Sequence, residues 1–146
     1  MSRENVETVR RAYEAWEADD LDAFLAELHP DVEWHPSIEP ALEGSATTYK
    51  GHEGARRGWA EYRGEAFGRL AAQIEEIRDL GESVLVLGRF TVSGRTTHIE
   101  LETELGELVT FRDGKIATVH DHLSHREALK AAGLSEQTDT RHPADS

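Results

Sequence analysis

Two carboxyl residues interrupt rows that are otherwise apolar. Over residues 99–111 the odd positions read Ile99, Leu101, Thr103, Leu105, Glu107, Val109 and Phe111, and the even ones are mostly polar, with Glu100, Glu102, Glu104 and Arg112. Alternate residues of a strand share a face, so Glu107 is the single carboxylate on the side expected to turn inward. Ala117, Val119, Asp121 and Leu123 repeat the pattern, with Thr118, His120 and His122 on the other side. A carboxyl group enclosed by hydrocarbon loses its hydration and answers by keeping its proton to higher pH. One protonated and one ionised carboxyl in the same site would supply both an acid and a base. A bulge near Gly106 would instead turn Glu107 to water, and the row alone leaves that alternative open.

The elements that must position these groups follow from periodicity. Val6, Val9, Tyr13 and Trp16 fall on one stripe of a helix over about residues 5–18. Asp20 is placed to cap a second short helix carrying Leu21, Phe24, Leu25 and Leu28, which should end at His29-Pro30-Asp31. Val32-Glu33-Trp34-His35 alternates as a short strand before Pro36, and residues 36–50 read as an irregular loop of the kind that often forms a lid or binding segment. A third helix opens at Gly51-His52 with Ala55, Trp59, Tyr62 and Ala66 on one side. Four strands should follow, over about 70–80, 83–92, 98–112 and 115–123, with Asp113-Gly114 as a tight hairpin turn. Ser124 and Glu127 form a capping box for a last helix, and Gly133 suits its end. The expectation is an α+β fold: a curved antiparallel sheet wrapped on three helices, cone-shaped around an internal pocket. Residues 1–134 make one domain, and residues 135–146 are expected to be a disordered polar tail.

Composition narrows the partners. The 146 residues carry a formal charge of −13 and no cysteine. Such a chain repels phosphate backbones and anionic lipid, and it offers neither disulfides nor thiolate chemistry. No apolar run is long enough for a membrane span and the first residues lack a secretory pattern, so the cytoplasm is the expected compartment. No phosphate loop, dinucleotide fingerprint or nucleophile triad is present, and no cofactor is expected. His120, His122 and His125 lack a carboxylate of ligand spacing, so no metal is assigned to them. Their row suits solvent or a second copy of the chain, and a homodimer is expected. Trp34, Tyr13, Trp59 and Phe90 can line a ligand pocket or simply fill a core.

Several stretches resemble the SnoaL-like branch of the nuclear transport factor 2-like superfamily. They are residues 9–16 (VRRAYEAW), 31–36 (DVEWHP), 49–54 (YKGHEG) and 111–116 (FRDGKI), with Glu127-Ala128-Leu129 and Ala132-Gly133-Leu134. The resemblance spans about residues 4–134. It implies a cystatin-like α+β barrel and one of several activities, among them polyketide cyclase, ketosteroid isomerase, dehydratase and limonene-epoxide hydrolase, or a non-catalytic binding module. A catalytic aspartate of the epoxide hydrolases would fall on Asp121 and its arginine partner on Arg89, whereas Thr91 stands where those enzymes place a second aspartate. The isomerase's general base would fall on His35, whose imidazole ordinarily titrates near pH 6.5, and its protonated acid on Glu107. Its helix-borne tyrosine would fall on Ala12, with Tyr13 about 100° further round the helix. The register of Arg89 stays open, because Val84, Val86 and Phe90 compete with Leu85 and Leu87 for the inner face. The implied protein is a cofactor-independent acid–base catalyst for a small hydrophobic molecule, with catalytic Asp121, Glu107, His35 and Arg89. The other reading is a module that binds such a molecule, or serves association, without turning it over.

Overall fold

The computed structural model describes residues 2–36, 48–62, 69–93 and 100–134. Most of the expected 36–50 loop, Ala66, Ile99, the side chain of Leu101 and the 135–146 tail therefore lie outside the described residues. The elements run α1 (Ser2–Glu17), α2 (Leu21–Ala26), β1 (Leu28–His35), β2 (Tyr49–Lys50), α3 (Gly51–Ala60), β3 (Arg69–Asp79), β4 (Ser83–Ser93), β5 (Glu100–Arg112), β6 (Lys115–His122) and α4 (His125–Ala131). Six strands form one sheet in the order β2-β1-β6-β5-β4-β3. The sheet is curved and unclosed, with β2 and β3 as its edges.

Local chemistry sets the element ends. The Asp20 side chain accepts a hydrogen bond from the Ala23 amide at 3.1 Å and starts α2. Ser124 does the same for α4 through the Glu127 amide at 3.0 Å. Asp113 and Gly114 both have positive φ, 55° and 78°, the backbone of a two-residue hairpin turn matched to strand twist. Register shifts between Ile74 and Glu76 in β3, and between Thr110 and Phe111 in β5, bend the sheet.

Two expectations are corrected here. The first strand begins at Leu28, so Pro30 lies within it rather than closing a helix. Proline is tolerated because pairing with β6 is interrupted between Leu28 and Glu33, where no ladder bond needs its missing N–H. The sheet is also not wholly antiparallel: β1 runs parallel to β6, with Trp34 opposite Val119 and His35 opposite His120.

The concave face packs on the N-terminal helices. Val9 and Ala12 of α1, Leu25 and Ala55 join Val84, Val86 and Val109 in one buried cluster. The opposite face of β4 is apolar as well, since Leu85 and Leu87 are buried against Ala128 and Leu129 of α4. Gly106 permits this layer, for a Cβ there would lie 2.3 Å from the Ala128 Cβ. Each of these valine and leucine side chains contributes roughly 1.5–3 kcal/mol by burial, so β4 is fixed by demand from both sides.

Candidate functional site

A cavity of about 140 Å³ opens between the concave face and the helices. Its walls are aliphatic and aromatic, including Trp16, Phe24, Trp34, Tyr62 and Phe90. Tyr13, Glu107 and Asp121 bring polar groups to it, and the described lining contains no lysine, arginine or histidine.

Both carboxyls arrive there by strand alternation. Leu105, Glu107 and Val109 face inward on β5, and Glu107 stands directly opposite Asp121 across the β5–β6 ladder. The irregularity of that ladder falls at Thr110 and Phe111, so Gly106 does not turn Glu107 away. On β6 the same irregularity brings Ile116 into the core, with Val119 and Asp121 following it inward. Leu123 reaches the cavity but remains 41% exposed, a rim residue rather than an interior one.

Four polar groups form a chain across the cavity. The Tyr13 hydroxyl donates to Glu107 Oε1, and the Trp34 indole N–H donates to Asp121 Oδ2 at 3.0 Å. Asp121 Oδ1 is enclosed and has no N–H or O–H donor from another described residue. The Asp121 carboxyl stands across the ladder from that of Glu107, close enough for each to act on the other. Two carboxylates in hydrocarbon cannot face each other while both are charged, so a proton lies between them. Burial first, then the charge of Glu107 and the hydrogen bond to it, hold Asp121 well above the usual carboxylate range, against the opposing Trp34 donor. Burial and Glu107 likewise push the Tyr13 hydroxyl well above its ordinary range, so it remains a donor. The arrangement is an acid hydrogen-bonded to an acceptor carboxyl, with an undissociated phenol on the far side.

Sequence candidates divide accordingly. Asp121, Glu107, Tyr13, Trp34 and Phe90 meet at the cavity. Arg89 does not. It follows Leu85 and Leu87 onto the outer face, where its Nε lies 3.7 Å from Glu102 of β5. Slipping β4 by one residue to turn Arg89 inward would take Val84 and Val86 out of the inner cluster. His35 is also outside, because its neighbour Trp34 takes the inward position and side chains alternate. Its ring stacks on His120 at 4.2 Å, with Nε2 3.1 Å from Glu33 Oε1 and Nδ1 3.3 Å from Thr48 Oγ1. Trp59 stands behind the cavity wall, packed on Trp16 and Phe24 with ring centroids 5.0 Å away in each case.

Two hydrogen bonds went unread in the sequence. Periodicity placed Tyr13 inward with Val9 and Trp16, but not its bond to Glu107. The role of Trp34 as a donor to Asp121 needed the parallel β1–β6 pair, which no local pattern encodes. His125 is likewise structural: its amide donates to Glu104 Oε1 at 2.8 Å, and its Nε2 lies 2.8 Å from the Gly88 carbonyl.

The fold and cavity define an α+β cone with a carboxyl pair at its apolar interior. The family model for the SnoaL-like domain matches residues 9–119, and the chain belongs to that family. Among solved structures it is similar to TerC co-crystallised with polyporic acid, at 24% identity and a TM-score of 0.74, covering 91% of this chain and 98% of that one. An NTF2-like protein from Burkholderia pseudomallei K96243 shares 26% identity with a TM-score of 0.71, covering 87% and 95%. A candidate SnoaL-like polyketide cyclase from Jannaschia sp. CCS1 shares 21% identity with a TM-score of 0.65, covering 82% and 85%. No protein of curated function matches the sequence. Among the described residues, no helix is long and apolar enough to cross a membrane.

Proposed function

We propose that the protein is a cofactor-independent acid–base catalyst acting on a small, largely apolar molecule with a hydrogen-bonding oxygen. The observation that carries this is the pairing of Glu107 with Asp121, two carboxyls facing one apolar cavity whose described lining has no basic side chain. A pair in that state can give a proton at one oxygen and receive one at another, which suits enolisation, cyclisation, dehydration or epoxide opening. Asp121 is the donor, Glu107 the acceptor, and Tyr13 orients Glu107 and stabilises its charged form before the proton arrives. Trp34 and Phe90 are walls for the substrate, while Arg89, His35 and Trp59 lie away from the reacting atoms. The apolar character of the described walls disfavours anionic substrates. The fold likeness to a candidate polyketide cyclase is consistent with chemistry beside a carbonyl.

The test is α-proton exchange into D₂O for small enolisable ketones such as 2-indanone, followed by ¹H NMR. Wild-type protein should accelerate exchange, and Glu107→Gln should lower that acceleration on the order of 10²–10⁴-fold. Tight binding of the same ketones with no acceleration by any of them would instead favour a binding module. One observation supports that second reading: each carboxyl already has a protein donor, Tyr13 for Glu107 and the Trp34 indole for Asp121. A homodimer belongs to the proposal too, formed through the outer face near Thr118, His120 and His122. Light scattering at micromolar concentration should give twice the 16.3 kDa chain mass, and a monomer there would remove this part.

A further inference from the structure

Among the described residues, Trp34 supplies the donor from outside the carboxyl pair that reaches Asp121, and something must hold its ring in place. The indole lies between aromatic neighbours: Tyr49 and Tyr62 at centroid distances of 5.1 and 5.2 Å, and Trp16 edge-on at 6.4 Å. Its remaining side rests on the backbone of α3 at Gly58. A Cβ built on Gly58 would lie 2.3 Å from Trp34 Cζ3 and 2.8 Å from Cε3. Those are rigid ring atoms, so a methyl at Gly58 would press the indole away from α3 and toward the cavity it lines.

Gly54, one turn earlier, has the same character, for a Cβ there would lie 2.8 Å from the Tyr49 carbonyl carbon. The two glycines at i and i+4 make a bare strip along α3 against which β1 and β2 settle. Glycine in a helix interior costs about 1 kcal/mol relative to alanine, so α3 gives up intrinsic helix stability for this close approach.

We infer that Gly58 is a positioning residue for the carboxyl pair: its missing side chain seats the Trp34 indole where its N–H reaches Asp121 Oδ2. The link runs from a helix that carries no reacting group, through an aromatic ring, to the proton-bearing carboxyl. It deepens the acid–base reading but is read on Asp121 itself, so either can fail without the other.

The experiment compares Gly58→Ala, Trp34→Phe and the double variant, with ¹⁵N-labelled indole and ¹³C-labelled aspartate followed by NMR. Gly58→Ala should move the Trp34 indole N–H resonance upfield and raise the Asp121 titration midpoint by on the order of one pH unit. The rise follows because a donor to the charged carboxylate is withdrawn. Trp34→Phe should raise the midpoint similarly, and adding Gly58→Ala to it should change the midpoint no further. A midpoint unmoved by Gly58→Ala, or moved equally in the Trp34→Phe background, would overturn the inference. Should Gly58→Ala alone fail to fold, melting temperatures decide. Trp34→Phe, which removes the ring atoms in conflict, should then recover a folded protein, and failure to do so would equally overturn it.

Discussion

Replacing Asp121 by asparagine separates the proton from the shape that holds it. Asparagine can donate from Nδ2 to Glu107 and accept at Oδ1 from the Trp34 indole, so both hydrogen bonds of Asp121 survive. What disappears is the titration. In the folded protein Asp121 keeps its proton well above the usual carboxylate range, whereas in the unfolded chain it loses it near pH 3.9. The native state thus binds one more proton than the unfolded state across that window. Stability from this group is fully present below about pH 3.9 and falls by about 1.4 kcal/mol per pH unit until the folded pKa is passed. Asparagine pays none of this. The stability difference between Asp121→Asn and wild type should therefore move in the variant's favour with that slope as pH rises from about 5, because other groups cancel in the comparison. Urea denaturation at several pH values measures it, and proton-transfer activity should be lost in the same variant. A difference that stays flat with pH, with the variant less stable throughout and turnover intact, would refute the shared-proton reading and leave Asp121 an ordinary structural carboxylate.

Three further outcomes are expected. Tyr13 and Tyr49 are both held above the ordinary phenol range, chiefly by burial and then by Glu107 and Glu61 respectively, so two of the three tyrosines should resist ionisation at about pH 11 until the protein unfolds. Absorbance at about 295 nm follows this, and stability from these phenols is lost as pH rises above about 10; ionisation of all three in native protein would contradict the Tyr13–Glu107 contact. Gly106→Ala should cost about 1–3 kcal/mol in urea denaturation, because the added methyl meets Ala128 of α4. His120 should titrate below its ordinary value, through burial and then the neighbouring charges of His35 and His122. Its contribution to stability is present above about pH 6.5 and lost as pH falls, and His35→Gln should bring its NMR midpoint back upward.

Much of the fold could be read from short-range signals. The Asp113-Gly114 turn, the Asp20 and Ser124 caps and the row around Glu107 each rest on interactions within a few residues, and each lies as those signals indicate. Pro30 is different: a local rule stops a helix there, but only the broken β1–β6 ladder shows that a strand can carry it. Arg89 was ambiguous because β4 is apolar on both faces, so alternation marks two cores without saying which one encloses the cavity. The presence of α4 behind Leu85 and Leu87 resolves it. His35 and Trp34 are adjacent in a strand and could not both face the pocket. Which of them turned inward depended on the Gly58 surface and on Asp121, both far away in sequence.

The parallel pairing of β1 with β6 has a consequence for how the molecule assembles. Across the cavity, two hydrogen bonds join residues 94 and 87 positions apart, Tyr13 with Glu107 and Trp34 with Asp121. Such contacts close long loops, and their entropy is spent before the enclosed groups reward it. The β3–β4–β5–β6 meander can form from neighbouring segments, but no fragment of it contains a complete cavity. A ligand held by these four side chains therefore binds only the fully assembled chain, so it should raise the free energy of global unfolding rather than of any local opening.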